Sequence, residues 1–308
     1  MPNVVNSLEF NTKLSDQLDK KFVQEAVTGM FADNAMRSKF VGTHTVIIDD
    51  AEMTGMGDYD RDKGFAKGAV TINQSSYDLE MDRSVTFMID DQDLDEIGVS
   101  EKMAGYMSQF VSEHSAPEVD AYVLSKLAGV AIERGNTVSG TPATQAYKMF
   151  TEAQIKVQRK AGHNKELVAF VDYSMWAAIM NTPEIARQLV VSNFKKGDVD
   201  LQVKSLNGVA IIPVTDDRMY TAYDFLPGSV DGETAGGFAP METAKRIGML
   251  MLPKDACSLV KKTEKTRIFT PAQNLNADAW KGDYRIYYGC LVKKSNLDKI
   301  VAYTYENN

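Results

Sequence analysis

The sequence predicts an α+β fold, and three observations carry that prediction. A long helical stripe runs from Met103 to Ala131, β-structure brackets a glycine-rich turn over residues 43–90, and from Leu167 onward short strands and helices alternate. The chain has 308 residues, 44% of them apolar and 25% charged, which is an ordinary globular mixture and too apolar for intrinsic disorder. That length suggests about two domains, or one elaborate one. The apolar runs Met175–Met180 and Ile247–Leu252 reach only about six residues, far short of a membrane-spanning helix.

Taken in order, Leu14, Leu18, Phe22 with Val23, Ala26 and Val27 fall at helical spacing, with Thr12 or Ser15 as a cap. The stripe is narrow, so the segment reads as an arm that packs on something else, another copy of the chain being one candidate. Thr43–Ile48 is a β-branched run. Gly55 to Gly64 is a turn of breakers and acids, and Gly68–Leu79 and Ser84–Ile89 follow as strands. In the second, Val85, Phe87 and Ile89 alternate with Ser84, Thr86 and Met88. A long hairpin projecting from the body fits this pattern.

Met103, Tyr106, Met107, Phe110 and Val111 begin the main helical stripe, and Tyr122, Val123, Leu127, Val130 and Ala131 continue it. Between them Pro117 interrupts, and Ser115-Ala116-Pro117-Glu118 has the form of a capping box. The reading is one long helix kinked near Pro117 or two in tandem, ending before Gly135. A further helix starts at Thr141-Pro142, carries Ala146, Phe150, Ala153 and Val157, and stops at Gly162. Leu167–Val171 and Val209–Val214 read as strands and Tyr173–Met180 as a short helix, with another opening at Thr182-Pro183-Glu184. Leu226–Pro240 reads as a mobile glycine-rich loop. Arg267–Phe269, Tyr284–Val292 and Ile300–Tyr305 close the chain as strands, the middle one covered on both faces.

Catalytic and cofactor signals are weak. Asp58, Asp60 and Asp62 lack the glycine and glutamate of a calcium loop, since Lys63 and Ala69 stand there. Gly55-Met56-Gly57 fails the dinucleotide context because no helix follows. His44, His114 and His163 have no serine or cysteine partner nearby in sequence, and no nucleophile elbow or phosphate loop occurs. Neither a cofactor nor a metal is expected, nor enzymatic activity. Cys257 and Cys290 match no zinc spacing and read as small core residues of a protein from a reducing compartment. Met1–Ser7 has no basic or long apolar leader segment, so a cytosolic origin is expected.

Charge is distributed unevenly. Against 34 basic side chains stand 42 acidic ones, a net of −8. Such a chain is ill suited to gripping duplex DNA through its phosphates and would meet it as a container. The acids Asp78, Glu80, Asp82, Asp90, Asp91, Asp93, Asp95 and Glu96 are offset only by Arg83. A basic stretch, Lys245, Arg246, Lys254, Lys261, Lys262, Lys265 and Arg267, is offset by Asp255 and Glu264. These segments are either solvated faces or complementary patches on neighbouring copies.

Four groups of residues, in order over about 270 positions, resemble the major capsid proteins of tailed bacteriophages, of the Hong Kong 97 type found in siphophages and prophages. Gln17-Leu18-Asp19-Lys20-Lys21-Phe22 with Thr28 resembles the family's N-terminal arm. Gly57-Asp58-Tyr59-Asp60-Arg61 with Gly64-Phe65, then Asp82-Arg83, Phe87 and Asp90, are similar to its extended loop. Pro117–Tyr122 with Ser125–Ala128 resembles the spine helix, and Arg267–Phe269, Pro271, Trp280 and Tyr284–Tyr288 resemble the return strands. The resemblance implies an arm at 1–44, an extended loop at 45–91, a peripheral domain with the spine helix at 92–166, an axial domain at 167–267 and return strands of the peripheral domain at 268–308. It implies subunit contacts through Phe22, Asp58, Tyr59, Arg61, Phe65 and Arg83, and the charge pattern adds Lys261 and Lys262. The implied function is a shell of hexamers and pentamers forming an icosahedral head that encloses double-stranded DNA, with no membrane involved. Because the arm motif begins close to Met1, a separate scaffolding protein is expected, with a portal protein at one vertex and a decoration protein as a further partner. Lys63 and Lys67 lie in the loop without a recognisable asparagine partner, so no covalent crosslinking is expected. The alternatives are an encapsulin-type compartment shell and an α/β enzyme using one of the histidines.

Overall fold

In the computed structural model of the chain, the described residues are 17–18, 21–22, 25–32, 39–41, 45–62, 64–90, 99–182, 190–196, 199–228, 236–275 and 277–306. Strands β1 (Lys39–Val41), β2 (Thr45–Met53) and β3 (Val70–Asp78) form one antiparallel sheet in that order. Strand β4 (Met81–Asp90) leaves it for another sheet. Then come α1 (Val99–Phe110), a π turn (Val111–Ser115), α2 (Ala116–Glu133) and α3 (Pro142–Ala161). After these follow β5 (Leu167–Asp172), α4 (Tyr173–Asn181), β6 (Val190–Lys196), β7 (Val199–Leu206) and β8 (Val209–Val214). A short pair, β9 (Tyr223–Asp224) and β10 (Ala239–Pro240), precedes β11 (Ile247–Pro253), β12 (Cys257–Phe269), β13 (Ala279–Val292) and β14 (Val301–Thr304).

The core is built around a six-stranded sheet ordered β14-β11-β5-β8-β7-β6. Only β5 and β8 run parallel; the other pairs are antiparallel. Every residue of β5 and β11 is buried because both faces of the sheet are covered. Val168, Phe170, Leu250 and Leu252 pack toward α2, while Leu167, Ala169, Val171, Met249 and Met251 pack toward α3 and α4. A second, three-stranded sheet, β12-β13-β4, lies against α1 and α2 through Met103, Met107, Tyr284, Ile286 and Tyr288. Two buried cysteines outside any disulfide, Cys257 and Cys290, sit within that core.

The long helical stripe forms one run, α1, π turn and α2. Pro117 has no N–H for an i→i−4 bond and its ring would strike the carbonyl one turn back. The chain absorbs this with a wider turn, in which the Ala116 N–H donates to the carbonyl of Val111. The expected capping box is therefore absent. Ser115 is itself helical, and its hydroxyl meets the Tyr284 hydroxyl at 3.1 Å. Tyr106, expected on the buried stripe, is half exposed. Thr141-Pro142 and Gly162 bound α3 as the sequence predicts, with Gly162 at φ 86°. The helix expected from Thr182-Pro183-Glu184, the caps Thr12 and Ser15, the acids Asp91, Asp93, Asp95 and Glu96, and His44 and Lys63 lie outside the described residues, as does 229–235 of the expected mobile loop. No helix among the described residues is long and apolar enough to cross a membrane.

The hairpin β2–β3 is rooted by a third, small core of Val46, Leu79, Val260, Tyr287 and Leu291. Close approach there requires a glycine. A Cβ at position 289 would lie 2.8 Å from Leu79 Cδ2 and 3.2 Å from Leu79 Cα. Gly289→Ala is expected to lower the unfolding free energy by about 1–3 kcal/mol, read from the denaturant midpoint at unchanged slope. An unchanged midpoint would show that the root is loose.

Candidate assembly site

The hairpin is the element least able to account for itself within one chain. Nine residue pairs, from Thr45↔Asp78 to Met53↔Val70, make its ladder, roughly 30 Å long at about 3.3 Å per residue. Thr54 extends the pairing, its N–H donating to the Ala69 carbonyl at 3.1 Å while the Ala69 N–H donates to its hydroxyl at 2.8 Å. At the tip Asp60 and Gly64 exchange two backbone hydrogen bonds, and the Asp62 N–H donates to the Asp60 carboxylate at 2.8 Å. Gly64 holds φ 79°, which a side chain would resist. This explains why acids crowd the turn: Asp60 is spent on the chain's own amide.

The tip and one face of the ladder expose apolar side chains. The Tyr59 and Phe65 rings meet edge-on at 5.3 Å and are 62% and 89% exposed. Met56 is fully exposed, and Met53, Val70 and Ile72 are exposed on a shared face, since Met53 stands opposite Val70. Asp58 and Arg61 flank the rings, both exposed. Exposed apolar side chains gathered on one element are what an interaction surface offers. Asp58, Tyr59, Arg61 and Phe65, which the sequence predicts as contacts, lie together at this tip. Met53, Met56, Val70 and Ile72 add to them, and their only signal in the sequence is apolar residues flanking a turn with no body of their own to cover.

The other expected contacts sit elsewhere. Phe22 is wholly buried in the chain's own core, so it is not available to a neighbour, which corrects the expectation for it. Lys261 places its ammonium 4.4 Å above the Phe22 ring and pairs with Glu264 at 2.9 Å, so it too is engaged within the chain. Lys262 is partly exposed on the same strand. Arg83 forms a two-pronged pair with Glu118, Nε to Oε1 at 2.6 Å and Nη2 to Oε2 at 3.2 Å, and donates to the Gly237 carbonyl. Burial pushes the Glu118 carboxyl above its ordinary range, against the pull of Arg83.

Several of the charges that stand in one-sign runs along the sequence are paired in three dimensions. Glu80 accepts from Lys126 at 2.7 Å and from the Tyr122 hydroxyl at 2.8 Å; Asp82 takes both prongs of Arg285. From the basic stretch, Arg246 pairs with Asp172 and Asp216, and Lys254 with Glu166.

Asp172 is the group whose chemistry most resembles a catalytic one. It is fully buried, and burial raises its pKa despite the opposing Met175 N–H and Arg246. Its Oδ1 is already hydrogen-bonded, however, and its Oδ2 is held only by an ion pair. Oδ1 caps α4 through the Met175 N–H at 2.7 Å and receives the Tyr305 hydroxyl at 3.2 Å, while Oδ2 faces Arg246 at 2.7 Å. Asp172 thus holds the end of β5 to the turn before β11. Among the described residues no cluster of three metal-ligating side chains occurs.

Solved structures share this architecture. The capsid structure of the cyanophage P-SCSP1u matches with a TM-score of 0.55 at 13% identity, over 88% of this chain and 86% of that one. The chain has the Hong Kong 97-type phage capsid fold. A structure from Microbacterium phage Oxtober96 matches at TM-score 0.53 and 13% identity, over 89% and 90% of the two chains. A virus-like particle from Pyrococcus furiosus matches at 0.51 and 8% identity, over 96% and 99%. No protein-family model and no curated protein matches the sequence.

Proposed function

We propose that the chain is a major capsid protein, which self-assembles into hexamers and pentamers of an icosahedral head enclosing double-stranded DNA. The observation that supports this most is the hairpin, a nine-pair ladder that presents Met56, Tyr59 and Phe65 to solvent on a capsid fold. Covering each of those side chains is worth about 1.5–3 kcal/mol, small for one contact but multiplied around a closed ring of copies. The net charge of −8 suits a lining that contains DNA without gripping it.

The reading keeps the division into arm, extended loop, peripheral domain, axial domain and return strands. Its boundary at 267 falls inside β12, which pairs with β13, and β14 returns to the six-stranded sheet. A separate scaffolding protein, a portal at one vertex and a decoration protein are the protein partners that go with it. Assembly would take place in the cytoplasm of a bacterial host, and the protein would end in the virion.

The test is electron microscopy of the purified chain, alone and with its scaffolding partner. Closed shells or rings of five and six are expected; a monomer or dimer under every condition would overturn the reading. Tyr59→Ser with Phe65→Ser is expected to leave the unfolding midpoint unchanged and to cut the assembled fraction at least tenfold, since both rings touch mainly each other. Wild-type assembly by that variant would remove the tip from the interface. The Pyrococcus particle, which matches over nearly its whole length, favours a second reading, a compartment shell without a genome. Genome-length DNA protected inside native shells supports the first; protein cargo supports the second.

A further inference from the structure

Opposite charge collects at the two ends of β13. At one end Asp90, the last residue of β4, stands opposite Ala279, with Asp278 beside it, and both acids are exposed. In the sequence Asp90 is followed by Asp91, Asp93, Asp95 and Glu96, with no base before Lys102. Of the bases on the neighbouring strands, Lys281 pairs with Asp283 at 3.2 Å and Arg267 stands opposite that same acid. Leu275, three residues before Asp278, is 98% exposed, an apolar side chain of the kind that copies cover when they meet.

The other end is basic. Past Val292 the chain runs through Lys293 into a short 3₁₀ helix, Lys294–Lys299, which packs on α3. The Asn296 amide donates to the Ala256 carbonyl at 3.0 Å, and Lys165, just beyond α3, pairs with Asp255 at 2.5 Å. These contacts gather the last turn of α3 with Lys293 and Lys294 on one face. Two of the acids there are already matched, Asp255 by Lys165 and Glu166 by Lys254. Arg159, Lys160 and Lys294 are exposed and Lys293 is partly so, and none of the four has an acidic partner among the described residues.

The two ends are roughly 40 Å apart, since β13 has 14 residues at about 3.3 Å each. The acidic run cannot cross that distance within its own chain. It leaves β4 at Asp90 and must reach α1 at Val99, and α1 lies against the same end of β13, with Met103 at Gly282. Eight residues fully extended span less than about 30 Å, and this run also has to return. The opposite charges can therefore satisfy each other only between copies, head to tail, the contact type that builds closed rings. We propose that the basic face at the end of α3 receives the acidic end of a second copy, Asp278 and the run Asp90–Glu96. This contact rests on the shell reading and adds a second surface to the hairpin tip. A DNA phosphate backbone suits the face less well, because Glu166 and Asp255 stand among its bases.

The first probe is a labelled peptide of residues 88–98, titrated with the purified full chain and followed by fluorescence anisotropy. It is expected to bind saturably at about 50 mM salt and about tenfold more weakly at about 300 mM. Arg159→Glu with Lys294→Glu should weaken it about tenfold. Lys148→Glu with Lys245→Glu makes the same charge change near the other end of α3, where Lys245 shares a groove with Thr141, and should leave binding unchanged. The second measurement is assembly, by sedimentation and electron microscopy. Arg159→Glu with Lys294→Glu, and separately Asp93→Lys with Asp95→Lys, should each cut the assembled fraction about tenfold. Mixing the two variants, or placing all four substitutions in one chain, should restore it, because every contact then again joins opposite charges. No saturable peptide binding, equal binding by the two lysine-reversed variants, a DNA duplex bound in the peptide's place, or assembly that neither the mixture nor the combined chain restores would each overturn the proposal. If the wild-type chain never assembles, the shell reading fails and the peptide contrast decides this one alone.

Discussion

Asp120→Ala is expected to cost the fold about 3–5 kcal/mol, a large share of the roughly 5–15 kcal/mol that stabilises a domain. Asp120 is fully buried in the second turn of α2, where it ties three parts of the chain together. Its Oδ1 accepts from the Thr28 N–H at 2.8 Å and the Thr28 hydroxyl at 2.6 Å. Its Oδ2 accepts from the Val27 N–H at 2.9 Å and from Arg218 Nη1 at 2.9 Å. Removing the carboxylate strands two backbone donors and leaves a guanidinium with no counter-charge in a largely buried setting. Unmade bonds to buried donors cost more than made ones return, which is why the loss exceeds that of an ordinary core truncation of the same size. Asp120→Asn should cost less but still about 2 kcal/mol, because one amide oxygen cannot serve both sides and its NH₂ must face a donor. Denaturant titration reads both values. Limited proteolysis adds a readout specific to the arm, since cleavage near Val27–Ala32 should accelerate with the loss of Asp120. A loss under about 1 kcal/mol for the alanine variant would show that the arm is held by Phe31 on Phe170 and its apolar neighbours alone.

No local signal in the sequence marks Asp120 for this role. Its partners lie 92 and 98 residues away, and a carboxylate in a helical run reads as a solvated face. The same limit applies to the charge pattern: Asp82 meets Arg285 across 203 residues, a pairing set by the β4–β13 register and invisible along the chain. What was legible followed from local chemistry. Thr141-Pro142 and Gly162 bounded α3, the apolar run from Leu167 marked β5, and Val209–Val214 is β8 end for end. Strand β11 stayed hidden because Ile247–Pro253 is buried on both faces and has no period to read. Most of β12 was obscured by its lysines, of which Lys261 reaches past the apolar surface to Phe22 and Glu264. At the hairpin the turn residues were visible, but exposure of Met53, Val70 and Ile72 depends on where the body ends. Tyr288 is the extreme case. Its alternation marked a buried strand residue, whereas its hydroxyl's lack of a hydrogen-bond partner among the described residues is a property of three packed elements.

Stability should fall steeply in alkali, by about 4 kcal/mol per pH unit above pH 10 from three tyrosines alone. In the unfolded chain a tyrosine ionises near 10.0, whereas burial holds Tyr122, Tyr223 and Tyr288 well above that value. For Tyr122 the hydrogen bond it donates to Glu80 adds to the shift, and for Tyr288 the charge of Glu118 does. The folded state therefore keeps protons that the unfolded state releases, so the contribution is intact below pH 10 and lost as pH rises past it. Each group contributes about 1.4 kcal/mol per pH unit until its own folded-state ionisation is reached. Other groups titrate in the same range, so the variants carry the argument. Tyr122→Phe and Tyr288→Phe should each reduce the slope by roughly one third of the three-tyrosine total. They should separate at pH 8, where Tyr122→Phe loses its bond to Glu80 while Tyr288→Phe, which removes an unpaired hydroxyl, loses nothing. Denaturant midpoints between pH 8 and 11, with tyrosinate absorbance followed in parallel, measure both effects. Tyrosinate from these residues appearing before unfolding, or a slope unchanged by either substitution, would show that water reaches hydroxyls that the packing of α2 on β13 encloses.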